Sequence, residues 1–191
     1  YLDTNVKKVL WIYYEGNDLM DLKVEKTNDI LINYQKDLNF TQNLKLKQND
    51  INSLVSNFID EIEKFKFELP KFIKIYYTRN LISPAPAQAP APEFKQILQL
   101  TKKLMNKNNS KLYFVYLPEY SRYKTTSDDT NYNLVKEIVN ELKIPFIDIH
   151  KEVFEKEQNP LKLFPFEQEG GHYNVDGYKK VAETIYKFTK N

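Results

Sequence analysis

Strand and helix signals alternate through residues 93–189, and this alternation restricts the chain more than any other feature. In "EFKQILQLTKKLMNKNN" (93–109), Phe94, Ile97, Leu98, Leu100, Leu104 and Met105 recur at helical spacing. "SKLYFVYLP" (110–118) reads as a strand stopped by Pro118, "NYNLVKEIVNELK" (131–143) as a helix, and "IPFIDIH" (144–150) as a strand. "KEVFEKEQ" (151–158) reads as a short helix. Asn174 is placed to cap a last helix over 175–189, with Tyr178, Val181, Ala182, Ile185 and Phe188 as its apolar face. Near the start, "KKVLWIYYEGND" (7–18) predicts a buried strand running into a turn. Alternating elements of these lengths predict a parallel sheet joined by right-handed crossovers, with helices on both faces. In such sheets the chemistry collects on loops at the carboxyl ends of the strands, here 15–18, 118–124 and 159–174.

The middle of the chain differs. Residues 22–69 are charged and Asn-rich, with a helical stripe at Ile51, Leu54, Val55, Phe58, Ile59 and Ile62. "KFIKIYYTRNLI" (71–82) predicts another helix. "SPAPAQAPAP" (83–92) alternates Pro and Ala and favours an extended spacer, as a natural surface loop or as an engineered linker. The expected organisation is one domain over 1–191, with a helical insertion at about 22–82 followed by the Pro/Ala-rich linker at 83–92.

Composition narrows the function classes. With 41% apolar residues and 14% aromatics the chain can build a core. A net charge of +2 offers no footprint for nucleic acid. There is no cysteine, so disulfides, thiolate metal sites and a cysteine nucleophile are excluded. No apolar run reaches the roughly 18 residues that would suggest a membrane span.

Two loops carry candidate chemistry. Asn17, in "EGND", has a side-chain amide able to donate to a developing oxyanion, although Gly-Asn-Asp equally makes a plain turn. His172 follows Glu169 by three residues, across Gly170 and Gly171, which allow a tight turn. A carboxylate so placed can hold one imidazole nitrogen and leave the other as a base. A solvated loop histidine beside solvated glutamates fits the same residues. Asp148 and His150 end the last strand, where orienting loops or capping the next helix suffices. Asp148, His150 and His172 lack a diagnostic metal-ligand spacing, so no metal and no cofactor are expected.

Together these stretches resemble the SGNH, or GDSL-type, hydrolase superfamily. "EGND" after a buried strand is similar to its third sequence block, whose asparagine donates to the oxyanion. "EGGHYNVDGYKKVAETI" (169–185), with His172, Asn174 and Gly177, resembles its fifth block. The resemblance covers residues 7–18 and about 93–189. "SKLYFVYLPEYSRY" and "NPLKLFPF" also look like a bacterial branch related to polysaccharide O-acetyl-modifying domains. It implies a flavodoxin-like three-layer α/β/α fold and a serine esterase or O-acyl transfer activity. His172 would be the base, Glu169 its orienting acid and Asn17 the oxyanion donor, with Glu15, Arg122 and Tyr173 contacting substrate. The implied partner is an ester-bearing small molecule or glycan, and the expected location is extracytoplasmic or membrane-associated. Glu15 stands where the third block usually has glycine, and Glu169 where the fifth has aspartate. The Gly-Asp-Ser block that supplies the nucleophile has no counterpart, and the glycine-bearing second block is absent. The expectation is therefore that the first strands and the serine lie in sequence outside this chain. The alternative is a non-catalytic member of the superfamily that binds a glycan or a protein.

Overall fold

The computed structural model describes residues 5–65, 89–124, 128–167 and 172–190. The helix expected over 71–82 and residues 83–88 of the Pro/Ala tract lie outside them, as does Glu169. The chain divides into two compact units, Tyr1–Gln35 with Gln88–Asn191, and Lys36–Ala87. Residues 22–35, at the start of the anticipated insertion, thus group with the larger unit. In the smaller unit, α3 (Gln48–Phe65) follows the 50–65 periodicity, and Leu54, Val55, Phe58 and Ile59 on its apolar stripe are exposed.

The larger unit is α/β. Three strands, β1 (Lys8–Tyr14), β2 (Lys111–Leu117) and β3 (Phe146–Asp148), form a parallel sheet in the order β1-β2-β3. Helices α1 (Asp18–Glu25) and α2 (Asp29–Lys36) follow β1, and α4 (Pro92–Lys107) precedes β2. A one-turn helix α5 (Ser121–Lys124) and α6 (Thr130–Glu141) separate β2 from β3. After β3 come α7 (Ile149–Glu152), short 3-10 turns, and α8 (Val175–Thr189).

The central strand β2 is apolar on both faces because both are covered, as parallel sheets require. Leu112, Phe114 and Tyr116 pack with Phe94, Leu98 and Met105 of α4 and with Tyr132, Val135 and Val139 of α6. Tyr113 and Val115 point the other way, into a cluster with Phe154, Phe164, Tyr173 and Val181. The result is the three-layer α/β/α arrangement expected from the sequence. Tyr13 and Tyr116, opposite one another in the β1/β2 register, stack with ring centroids 5.4 Å apart.

With four glycines in the chain, helix ends make use of other residues. Asn109 and Lys143 adopt the left-handed conformation after α4 and α6, and the next amides return to Met105 and Val139. Both devices turn the chain directly into a strand or its approach.

Several boundaries differ from expectation. The strand predicted over 144–150 shrinks to three residues because the Asp148 carboxylate accepts the Lys151 amide at 3.2 Å, so that Ile149 and His150 enter α7. The helix predicted over 151–158 breaks at Val153 into α7 and a 3-10 turn. The loop predicted at 118–124 contains α5. On α8, Gly177 and Val181 are buried while Ala182 and Phe188 are exposed, since the packed stripe runs along 177, 181 and 185.

Among the described residues β1 is an edge strand, and Leu10 and Ile12 on it are 39% and 47% exposed. No helix among these residues is long and apolar enough to cross a membrane.

Candidate active site

The carboxyl ends of β1 and β2 open on a cavity of about 550 Å³. The β1 end contributes Tyr14, Gly16 and Asn17, and the β2 end Leu117 and Glu119. His172, Tyr173 and Tyr178 complete the lining from the entry to α8. The sequence candidates Asn17, His172 and Tyr173 therefore share one cavity.

Each is placed by local chemistry. Asn17 is the N-cap residue of α1, and its carbonyl accepts the amides of Met20 and Asp21. Its side-chain amide donates to Asp21 at 2.8 Å, so one of its two N–H groups is engaged there. The Asp18 carboxylate accepts the Tyr14 amide at 3.0 Å and closes the turn. Burial raises the Asp18 pKa, against the lowering effect of that hydrogen bond. The turn reading and the donor reading of "EGND" thus describe the same loop. Gly16 is needed for a close approach: a Cβ there would lie 2.5 Å from Tyr14 Cε1 and 3.0 Å from Glu119 Oε2.

The His172-x-Asn174-x-x-Gly177 pattern has a mechanical basis. Asn174 Oδ1 accepts the Gly177 amide at 2.9 Å, while its Nδ2 donates to the carbonyls of Lys162 and Phe164 at 2.7 and 3.3 Å. Gly177 lets α8 approach that segment, since a Cβ would meet the Leu163 carbonyl oxygen at 2.6 Å. Tyr173 is buried among Phe154 and Phe164, and its hydroxyl donates to the Pro118 carbonyl at 2.6 Å. Burial raises the Tyr173 pKa, so the phenol stays protonated and available as that donor. With Tyr173 and Asn174 held in this way, His172 stands exposed at the cavity, its Nδ1 3.3 Å from Tyr178 Oη.

Glu15 and Arg122 are also brought together, but beneath the cavity lining. The Arg122 side chain is 2% exposed. Its Nε donates to both Glu15 oxygens at 3.0 and 2.9 Å, its Nη2 to Glu15 Oε1, and its Nη1 to Asp129. Burial works against the Arg122 charge, yet the hydrogen bonds and charge of Glu15 outweigh it and raise the pKa.

Asp148 and His150 serve the fold. Asp148 accepts from Tyr132 Oη at 2.5 Å and from Lys136 at 3.1 Å. Burial, with the Asp148 hydrogen bond, pushes Tyr132 up to about 12. His150 Nδ1 lies 2.8 Å from Tyr123 Oη and its Nε2 3.1 Å from Glu155. Burial, with Arg122 nearby, lowers the His150 pKa. No group of three His, Cys, Asp or Glu able to hold a metal occurs among the described residues.

Sequence reasoning missed Tyr14, Glu119 and the second role of Tyr178. Tyr178 reads as core by helical spacing, yet it is 48% exposed beside His172. Glu119, directly after Pro118 at a strand end, was identifiable only by position.

The comparisons with curated proteins and with solved structures gave no match. The family model described as GDSL-like Lipase/Acylhydrolase matches residues 3–185, nearly the whole chain. The parallel three-layer fold agrees with that match, and the chain belongs to the GDSL-like lipase/acylhydrolase family.

Proposed function

We propose that the chain supports hydrolysis or transfer of an O-acyl group, in particular an O-acetyl group on a carbohydrate. The observation that carries this reading is the shared cavity of Asn17 and His172 at the carboxyl ends of β1 and β2. A serine hydroxyl attacks the ester carbonyl carbon, and His172 takes its proton. The tetrahedral oxyanion draws on the second Asn17 N–H. Collapse breaks the bond to the leaving alkoxide, which receives the proton from His172. Water then hydrolyses the acyl-serine, or a sugar hydroxyl accepts the acyl group. Glu169, with Tyr178, holds the imidazole. Tyr14 and Tyr178 offer faces for a sugar ring, and Glu119 an acceptor for its hydroxyls.

No serine lines the cavity among the described residues. The nucleophile this mechanism needs is therefore a serine other than the residues that line the cavity here. In the complete protein, His172→Ala abolishes p-nitrophenyl acetate hydrolysis. Undiminished turnover rejects the mechanism.

The same lack of a lining serine favours a second reading, a non-catalytic domain that binds a glycan or a protein. Labelling with a fluorophosphonate separates the two: a serine adduct in the complete protein supports the esterase, and glycan binding without any adduct supports the binding domain.

A further inference from the structure

The Glu15–Arg122 pair spans the two loops that form the cavity. Glu15 immediately precedes Gly16 and Asn17, and its amide donates to the Leu117 carbonyl at 2.9 Å. Its carboxylate accepts the Glu119 amide at 3.0 Å as well as the Arg122 fork. Arg122 reaches on to Asp129, just ahead of α6, and lies 3.4 Å from Tyr116 Oη at the end of β2. Its guanidinium sits 5.2 Å from the Tyr132 ring centroid. One charged pair thus joins the β1 loop, the β2 loop, α5 and the start of α6. Glu119 is then held by a second contact, in which Ser121 Oγ donates to its Oε1, with Oε2 beside Gly16.

Neither partner lines the cavity, and the guanidinium is spent on protein carboxylates. A substrate contact would require Arg122 to give up a buried, bidentate interaction, which is costly. We propose that Glu15 and Arg122 are positioning residues: they set the spacing between Asn17 and Glu119 across the cavity mouth without touching substrate. Glutamate at position 15 is thereby explained. A glycine there would leave Arg122 buried and unpaired on that side, and the Glu119 amide without its acceptor.

Lysine keeps the charge at 122 but lacks the planar fork, so Arg122→Lys can satisfy Glu15 or Asp129 and not both. The test uses the complete protein, with Arg122→Lys and Glu15→Gln compared at matched folded fractions. One readout is amide exchange in the peptides covering 15–18 and 117–121. The other is turnover of two esters, neutral p-nitrophenyl acetate and anionic p-nitrophenyl hemisuccinate. Exchange quickens in both peptides, and kcat falls on the order of tenfold or more on both esters while KM stays within about twofold, as small misplacements of a catalytic group do. A rise in KM for the anionic ester alone, with exchange unchanged, makes Arg122 a substrate contact and overturns the proposal. The kinetic arm rests on the esterase reading and the exchange arm does not. If wild-type protein turns over neither ester, that reading fails by itself, and unchanged exchange in Arg122→Lys still rejects the positioning role.

Discussion

The Tyr173 hydroxyl donates to the Pro118 carbonyl across 2.6 Å and so fastens the His172 loop to the end of β2. The bond is buried, and phenylalanine would fill the same space without the donor. Tyr173→Phe leaves the Pro118 carbonyl unpaired and costs about 1–3 kcal/mol. Urea unfolding of the variant beside wild type measures it. Activity falls further than stability at denaturant-free conditions, because His172 loses one of its two anchors.

Gly177→Ala sets two effects against each other. Alanine gains up to about 1 kcal/mol in helix propensity over glycine. The added methyl lies 2.6 Å from the Leu163 carbonyl oxygen and 2.8 Å from Tyr173 Cβ, both in packed segments that cannot swing away. Overpacking of this kind costs about 1–3 kcal/mol, so the variant melts lower than wild type. A higher melting temperature would show that α8 can shift outward freely.

Asn174 holds both the α8 amide and two carbonyls of the preceding segment, which separates two substitutions. Asn174→Asp keeps the cap and loses the amide donor, whereas Asn174→Ala loses both. Thermal denaturation ranks the proteins wild type, then aspartate, then alanine, the last by about 1–2 kcal/mol or more.

His150 predicts a pH response. Burial, reinforced by Arg122, lowers its pKa in the folded state below the ordinary 6.5, although Glu155 and Asp148 pull the other way. The unfolded chain therefore binds the proton first as pH falls. The stabilisation from a neutral His150 is complete above pH 6.5 and declines below it, until the folded-state pKa is passed. Urea midpoints at pH 7.5, 6.5 and 5.5 show this decline in wild type. His150→Phe flattens it between the last two values.

Periodicity located the elements well where one side chain in two or four faces a core. β1, β2, α4, α6 and α8 fall within a residue or two of their predicted bounds, because their apolar runs and stripes are unambiguous. β3 was overrun because apolar Ile149 and His150 continue the pattern, while a single hydrogen bond from the Lys151 amide to Asp148 ends it. Spacing brought out Asn17 and His172 since each sits at a strand end or helix start. The Glu15–Arg122 pairing was not legible, because the partners are 107 positions apart and only the folded loops bring them together. Burial of Arg122 separates a charge that meets solvent from one that organises a loop, and no local pattern reports that difference.

The stacked rings of Tyr13 and Tyr116 give the sheet a ruler. Side chains alternate along a strand, so a slip of β1 by one residue would exchange Tyr13 for Tyr14 in the buried layer and raise or lower Asn17 by about 3.3 Å. The height of the β1 loop over the cavity is therefore gauged on the face of the sheet that packs against α4 and α6. Repacking around Tyr13 would alter the loop's elevation with every cavity residue left intact, so the cavity can be tuned from within the core layer under α4 and α6.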